Sequence, residues 1–239
     1  MNSLKDILSE ISGGHVLDVA TGNGGFVHEL ISGLKDYDDI LGIDIKEKAE
    51  SAFVEFFKGN PKIHFRLMDA EKPEFPAASF DTVCISNSLH HFKDPWLVLK
   101  NMSGILQPGG TLIVSEMYRD GQSEAQMTHV LLHHWWGAVD RKNGIFHNET
   151  YLRQELVDLV NGLGFEIQKM DDISDGEQDP KDPGIKLELD PVIEMYIQRA
   201  EGDAGLQAQG RHLQQRLDEI GFHSAATLVM IAKKPGHPH

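Results

Sequence analysis

Val16-Leu-Asp-Val-Ala-Thr-Gly-Asn-Gly-Gly-Phe26 is the stretch from which the rest of the chain can be read. A short apolar run, Val16 to Val19, carries one carboxylate and ends in a turn with three glycines. Phe26, Leu30, Ile31 and Leu34 then recur at helical spacing. A strand that enters a helix through glycines leaves bare backbone N–H groups at the helix N-terminus, where open parallel sheets bind ligands. Glycines alone could do no more than relieve a tight turn. Asp18, placed before the turn, adds chemistry: a carboxylate there suits a cationic ammonium group and has no use to a pyrophosphate.

Outward from this stretch, short β-branched runs alternate with amphipathic ones, as in a parallel sheet covered on both faces. Strands are expected at Val16 to Val19, Ile40 to Ile43, Ile63 to Arg66, Thr82 to Ser86 and Thr111 to Glu116. Ala49, Ala52, Phe53 and Phe56 form the apolar stripe of a second crossover helix. Asp94-Pro95 starts a further helix carrying Leu99, Met102 and Leu106, which Pro108-Gly109-Gly110 stops. Helices are also expected at Leu4 to Ile11, Ala125 to Trp136, Tyr151 to Leu163, Pro191 to Ala200 and Leu206 to Ile220. Two more strands fall at Phe165 to Met170 and Thr227 to Ala232. The acidic run Asp171 to Asp182 reads as a solvated linker.

Two more acids follow strand ends. Asp44 can accept both hydroxyls of a ribose, and Asp69 the exocyclic amine of an adenine, although an Asp after a strand can also only start a turn. Asn87 falls where the fourth strand opens. Cys84 lies inside an apolar strand and reads as core.

These segments, in this order, resemble the class I S-adenosylmethionine-dependent methyltransferases, and within them the ubiquinone/menaquinone-type small-molecule branch. The resemblance covers residues 15 to 117, and more loosely Tyr151 to Met170. The family pattern of an acid and three alternate glycines reads here as Asp18, Ala20, Gly22 and Gly24, with alanine in the first glycine's place. Ser79-Phe-Asp-Thr-Val-Cys-Ile-Ser-Asn-Ser-Leu-His-His-Phe92 looks like the family's fourth-strand segment, and Leu106-Gln-Pro-Gly-Gly-Thr-Leu112 like its fifth-strand entry.

The resemblance implies a Rossmann-like, doubly wound seven-stranded α/β sheet with its last strand antiparallel, in one domain over 1–239. It implies S-adenosyl-L-methionine as cofactor, held by Asp18, Ala20, Gly22, Gly24, by Asp44 with Ile45, by Asp69 with Ala70, and by Asn87. Insertions at 118–150 and 171–223 would shape the acceptor pocket, the second as a lid. The N-terminal cap of many relatives is expected to be nearly absent. A nicotinamide-dependent oxidoreductase is a rival, since Ala20, Gly22 and Gly25 nearly fit a degenerate dinucleotide fingerprint. A protein of this fold that binds the nucleoside without turnover, as a sensor or subunit, is another.

Thirteen histidines are present, and His90, His91, His133 and His134 are the candidates for the acceptor side, as a base or as pocket walls. His133-His-Trp-Trp136 could also stack on a planar or cationic acceptor. His129 and His133, spaced i and i+4, could join His134 or His147 on a metal, but no carboxylate or cysteine partner is evident in the sequence, and no metal is expected.

Composition narrows the partners. With 37 acidic and 22 basic residues the formal charge is −15, which repels nucleic-acid backbones and anionic membranes. No apolar run is long enough to span a bilayer. A single cysteine and a polar start, Met1 to Asp6, fit a cytoplasmic protein acting on a small molecule, with a homodimer as an open option.

Overall fold

The computed structural model describes residues 3–174 and 179–236. Seven strands make one sheet: β1 His15–Val19, β2 Asp39–Asp44, β3 Ile63–Leu67, β4 Phe80–Ser86, β5 Leu106–Met117, β6 Glu166–Ile173 and β7 Thr227–Lys233. They lie in the order β3-β2-β1-β4-β5-β7-β6. β1 through β5 pair in parallel, and β7 runs antiparallel to both β5 and β6. The expected doubly wound sheet with an antiparallel last strand is the one observed.

Alternation along the central strands builds a core on each face. Leu17, Val19, Val83, Ile85, Leu112 and Val114 face α4 (Pro95–Ile105) and α6 (Arg153–Gly162). Val16, Ile40, Cys84 and Ile113 face α1 (Leu4–Leu8), α2 (Gly25–Gly33) and α3 (Glu47–Phe56). Cys84 is fully buried, as read, and burial pushes its thiol well above the ordinary value.

A third core lies outside the sheet. Leu132, Trp135 and Val139 of α5 (Glu124–Lys142) pack with Ile193 and Ile197 of α7 (Pro183–Arg199) and Leu213 and Leu217 of α8 (Ala204–Glu219). The Trp135 indole donates to the Leu206 carbonyl at 2.9 Å. A Cβ on Gly210 would run into Trp135, so only glycine lets α8 approach α5 this closely. The segments after β5 and between β6 and β7 therefore form one helical layer.

Several expected boundaries are corrected. α1 stops at Leu8, short of Ile11. Leu106 is not on the helix face: it caps α4 and pairs with Phe80 as the first residue of β5, with a register irregularity before Thr82. Tyr151 precedes α6 and bridges to Tyr118. α7 begins at Pro183, not Pro191. Two prolines compete for the start of this helix, and Asp182 settles it by accepting the Gly184 N–H, leaving Pro191 on the exposed side within the helix. The acidic run is not all linker: Asp171 to Ile173 extend β6, and Asp172 pairs with Arg153 at 2.8 Å. Asp175 and Glu177 of that run lie outside the described residues.

Candidate active site

The carboxyl ends of β1 to β4 open onto one cavity of about 810 Å³, within the range of small-molecule sites. Ala20, Gly22, Asp44, Ile45, Asp69, Ala70 and Asn87 line it, together with His91 and Phe92. Asp140 of α5, Ile145 and Phe146 beyond it, and Tyr196 and Arg199 of α7 complete the wall. Asp18 and Gly24 are not on the wall: Asp18 is buried within β1, and Gly24 caps the start of α2.

The loop owes its shape to backbone conformation. Ala20, Gly22 and Gly24 all have positive φ, of 56°, 55° and 86°. Alanine thus adopts at position 20 the left-handed conformation for which glycine is preferred, at a cost of about 1–2 kcal/mol. A Cβ on Gly24 would strike Phe57 and Phe53, whereas one on Gly22 would meet nothing within 4 Å. The space over Gly22 is where a ligand can lie against bare backbone.

Asp44 ties the loop to the sheet. Its Oδ2 accepts the Gly22 N–H and its Oδ1 the Lys46 N–H, both at 2.9 Å; each oxygen keeps a second lone pair, and the residue borders the cavity. Asp69 Oδ1 accepts the Glu71 N–H at 2.9 Å, the turn-starting bond, while the residue still borders the cavity. Asn87, at φ 44°, receives the Met117 N–H on its side-chain oxygen, which fixes the end of β4 against β5.

Asp18 is 1% exposed and accepts the Thr21 hydroxyl on Oδ2 at 2.6 Å, while Oδ1 has no hydrogen-bond partner among the described residues. Burial pushes its carboxyl up to about 7; the Thr21 hydrogen bond opposes this and the Asp44 charge adds to it.

The four histidine candidates separate. His91 lines the cavity, where burial and then His90 and His147 hold it below the usual imidazole range, so its ring is neutral. His90 is buried behind it, its ring 4.3 Å from that of His91. His133 stacks edge-on against His90, centroids 4.7 Å apart. His134 turns away to Thr150, whose hydroxyl is 2.9 Å from its Nε2 and whose N–H it accepts at 3.2 Å. Of the aromatic pair, Trp135 belongs to the helical core and Trp136 packs on Tyr196, centroids 5.8 Å apart.

Two residues that the sequence did not single out hold this side of the site. Glu116, fully buried at the end of β5, accepts the N–H groups of Ser88 and Leu89 at 2.6 and 2.8 Å and so fixes the turn that carries His90 and His91. Its one sequence signal is an acid inside an otherwise apolar strand. Asp140 joins three elements: Oδ1 takes the Arg199 guanidinium at 2.6 Å and Oδ2 the His147 Nδ1–H at 2.8 Å.

Residues 17–114 match the model of a methyltransferase domain family. The O-methyltransferase cnsE of Penicillium expansum is 33% identical over 169 residues, 70% of this chain and 57% of that protein. The 27-O-demethylrifamycin SV methyltransferase of Amycolatopsis mediterranei is 34% identical over 110 residues, 44% of this chain and 39% of that protein. The chain therefore spans well under two thirds of the length of these curated relatives. The crystal structure of the [4+2]-cyclase SpnF superposes with a TM-score of 0.62 at 18% identity, over 98% of this chain and 80% of that one, a likeness of fold alone. The nicotinamide rival loses its structural footing, because an antiparallel β7 is inserted between β5 and β6, an order that departs from the 3-2-1-4-5-6 of the usual dinucleotide fold. Through residues 17–114 the chain is thus similar to a methyltransferase domain family, and its sheet has the strand order of the class I methyltransferase fold.

Proposed function

We propose that the chain binds S-adenosyl-L-methionine in the cavity over Gly22 and transfers its methyl group to a small-molecule acceptor. The observation that carries this reading is the convergence of Asp44, Asp69 and the open backbone at Gly22 on one cavity whose far wall comes from the helical layer. The cofactor supplies a methyl group activated on a sulfonium. Asp44 holds the ribose hydroxyls with the lone pairs left over from Gly22 and Lys46. Asp69 takes the adenine amine, with Ile45 and Ala70 against the base. Ala20, Gly22 and Asn87 border the methionine part. Gly24 shapes the loop through its left-handed backbone and its close approach to Phe53 and Phe57, and Asp18 places a carboxylate near the cationic end without reaching the wall.

The acceptor enters between His91, Phe146, Tyr196 and Arg199, so the segments 118–150 and 171–223 act as its pocket and lid. In-line methyl transfer depends mainly on positioning. Neutral His91 accepts a hydrogen bond from the acceptor and orients it, while His90, His133 and His134 stand behind that wall. Among the described residues no helix is long and apolar enough to cross a membrane. The buried lone thiol of Cys84 fits a cytoplasmic location, and a homodimer is compatible with the exposed faces of α7.

A second reading, nucleoside binding without methyl turnover, is favoured by the likeness to SpnF, a cyclase on the same fold. Incubating the protein with methyl-labelled donor and a metabolite extract separates the two. Label in a small molecule is the expected result; cofactor binding without label transfer supports the second reading, and label only in protein or RNA contradicts a small-molecule acceptor.

A further inference from the structure

His90 from the turn after β4, His133 from α5 and His147 from the loop after α5 meet in the interior. One ring nitrogen of each lies within 4.8 Å of those of the other two. Their ring centroids are 4.7, 4.8 and 5.5 Å apart. Three imidazoles pointing their nitrogens at one tetrahedral ion about 2.0–2.1 Å away would have centroids roughly 5 Å apart. The rings already sit at the spacing such an ion imposes, and small rotations about the side-chain bonds would bring the nitrogens to ligating distance.

Hydrogen bonding points the same way. His147 donates its Nδ1–H to Asp140, which fixes the tautomer and leaves the Nε2 lone pair directed inward, and that atom is buried without a partner among the described residues. His133 Nδ1 is likewise buried and unpartnered. His90 Nδ1 faces Glu116 Oε2 at 3.5 Å, too far for a good hydrogen bond, and both atoms lack other partners. Buried polar nitrogens are normally satisfied, and the orphans on His133 and His147, within one cluster of three imidazoles, call for a missing ligand. A carboxylate behind a ring, as Asp140 stands behind His147 and Glu116 beside His90, is the usual outer support of a metal-binding histidine.

We propose that His90, His133 and His147 form a binding site for a divalent transition-metal ion of the zinc type, backed by Asp140 and Glu116. Three imidazole nitrogen donors suit such an ion and leave its fourth position to a water or an oxygen donor. The site adjoins the cavity through His91, whose ring is 4.3 and 4.4 Å from those of His90 and His147, and through Asp140. The set differs from the one that helical spacing suggests: His129 Nδ1 accepts the Ala225 N–H at 2.9 Å, and His134 is engaged by Thr150.

The test is metal content and cobalt titration of untagged protein, neither of which involves the methyl donor, so a failure here leaves the cofactor reading untouched. About one equivalent of metal per chain and the visible absorption of tetrahedral cobalt(II) are expected. His133→Gln and His147→Gln should each abolish the cobalt bands, Asp140→Asn should weaken binding about 10- to 100-fold, and His129→Gln should leave the bands in place. Wild-type protein with less than about a tenth of an equivalent and no tetrahedral cobalt spectrum would overturn the site. Bands that persist in both ligand variants would do the same. Circular dichroism identifies any variant that fails to fold, and the wild-type titration decides the matter regardless.

Discussion

Asp44 Oδ2 accepts the backbone N–H of Gly22 at 2.9 Å, so the end of β2 holds the glycine turn that follows β1. The same carboxylate also holds the Lys46 N–H ahead of α3. Its removal should therefore weaken the protein even without a ligand. Each charge-assisted bond is worth about 1.5–3 kcal/mol, and Asp44 is largely buried. Urea unfolding of cofactor-free Asp44→Ala is expected to show a loss of about 2 kcal/mol or more. Unchanged stability would mean that the turn holds itself.

Ala20 sits at φ 56° where glycine would sit without strain. Ala20→Gly removes about 1–2 kcal/mol of left-handed strain and returns part of it through the greater entropy of glycine in the unfolded chain. A net gain of about 0.5–1 kcal/mol is expected in denaturant unfolding, and Ala20→Val should lose stability. A stability loss in Ala20→Gly would show that the alanine methyl makes contacts worth more than the strain.

Asp18 gives the stability a definite dependence on pH. Its folded-state value is raised by burial to about 7, above the ordinary 3.8, so the folded protein holds this proton more tightly than the unfolded chain. The contribution is fully present below about pH 4 and is lost as pH rises through about 7, a swing of a few kcal/mol, on the order of 1.4 per unit. The other charged group acting on it is Asp44. Asp18→Asn should flatten this part of the profile between about pH 4 and 7, with the comparison made on cofactor-free protein. Parallel wild-type and variant profiles would show that Asp18 does not titrate there.

Gly210 controls how tightly the helical layer closes. A methyl group there collides with Trp135 and crowds Ile197, none of which can move without opening the packed core of α5, α7 and α8. Gly210→Ala should cost about 1–3 kcal/mol and speed limited proteolysis between 180 and 220 while sparing the sheet. Equal proteolysis of wild type and variant would argue that the layer is not packed as described.

Much of this arrangement is visible in the sequence because it is local. The runs around Leu17, Ile43, Val83 and Val114 mark their strands, and Gly22, Asp44 and Asp69 fall at strand ends that the parallel topology must bring to one edge. Where two local signals compete, the reading slips: Pro191 looks like a helix start, yet Asp182 and Pro183 supply a better one. Acidity suggests solvent at Asp171 and Asp172, but an edge strand tolerates such residues, and Arg153 pairs with one of them. What stays hidden depends on approach through space. Glu116 reaches Ser88 across 28 positions, and Asp140 reaches Arg199 across 59. His90, His133 and His147 come from three separate segments, whereas the eye is drawn to the i and i+4 pair His129 and His133.

The most direct measurement is calorimetric titration of S-adenosylhomocysteine into wild-type protein and Asp44→Ala. One site per chain in the wild type is expected, weakened at least about tenfold in the variant, since a lost charge-assisted bond of about 1.5 kcal/mol or more sets that floor. No binding to the folded wild type, or an affinity that Asp44→Ala leaves unchanged, would contradict the placement of the cofactor over Gly22 and Asp44.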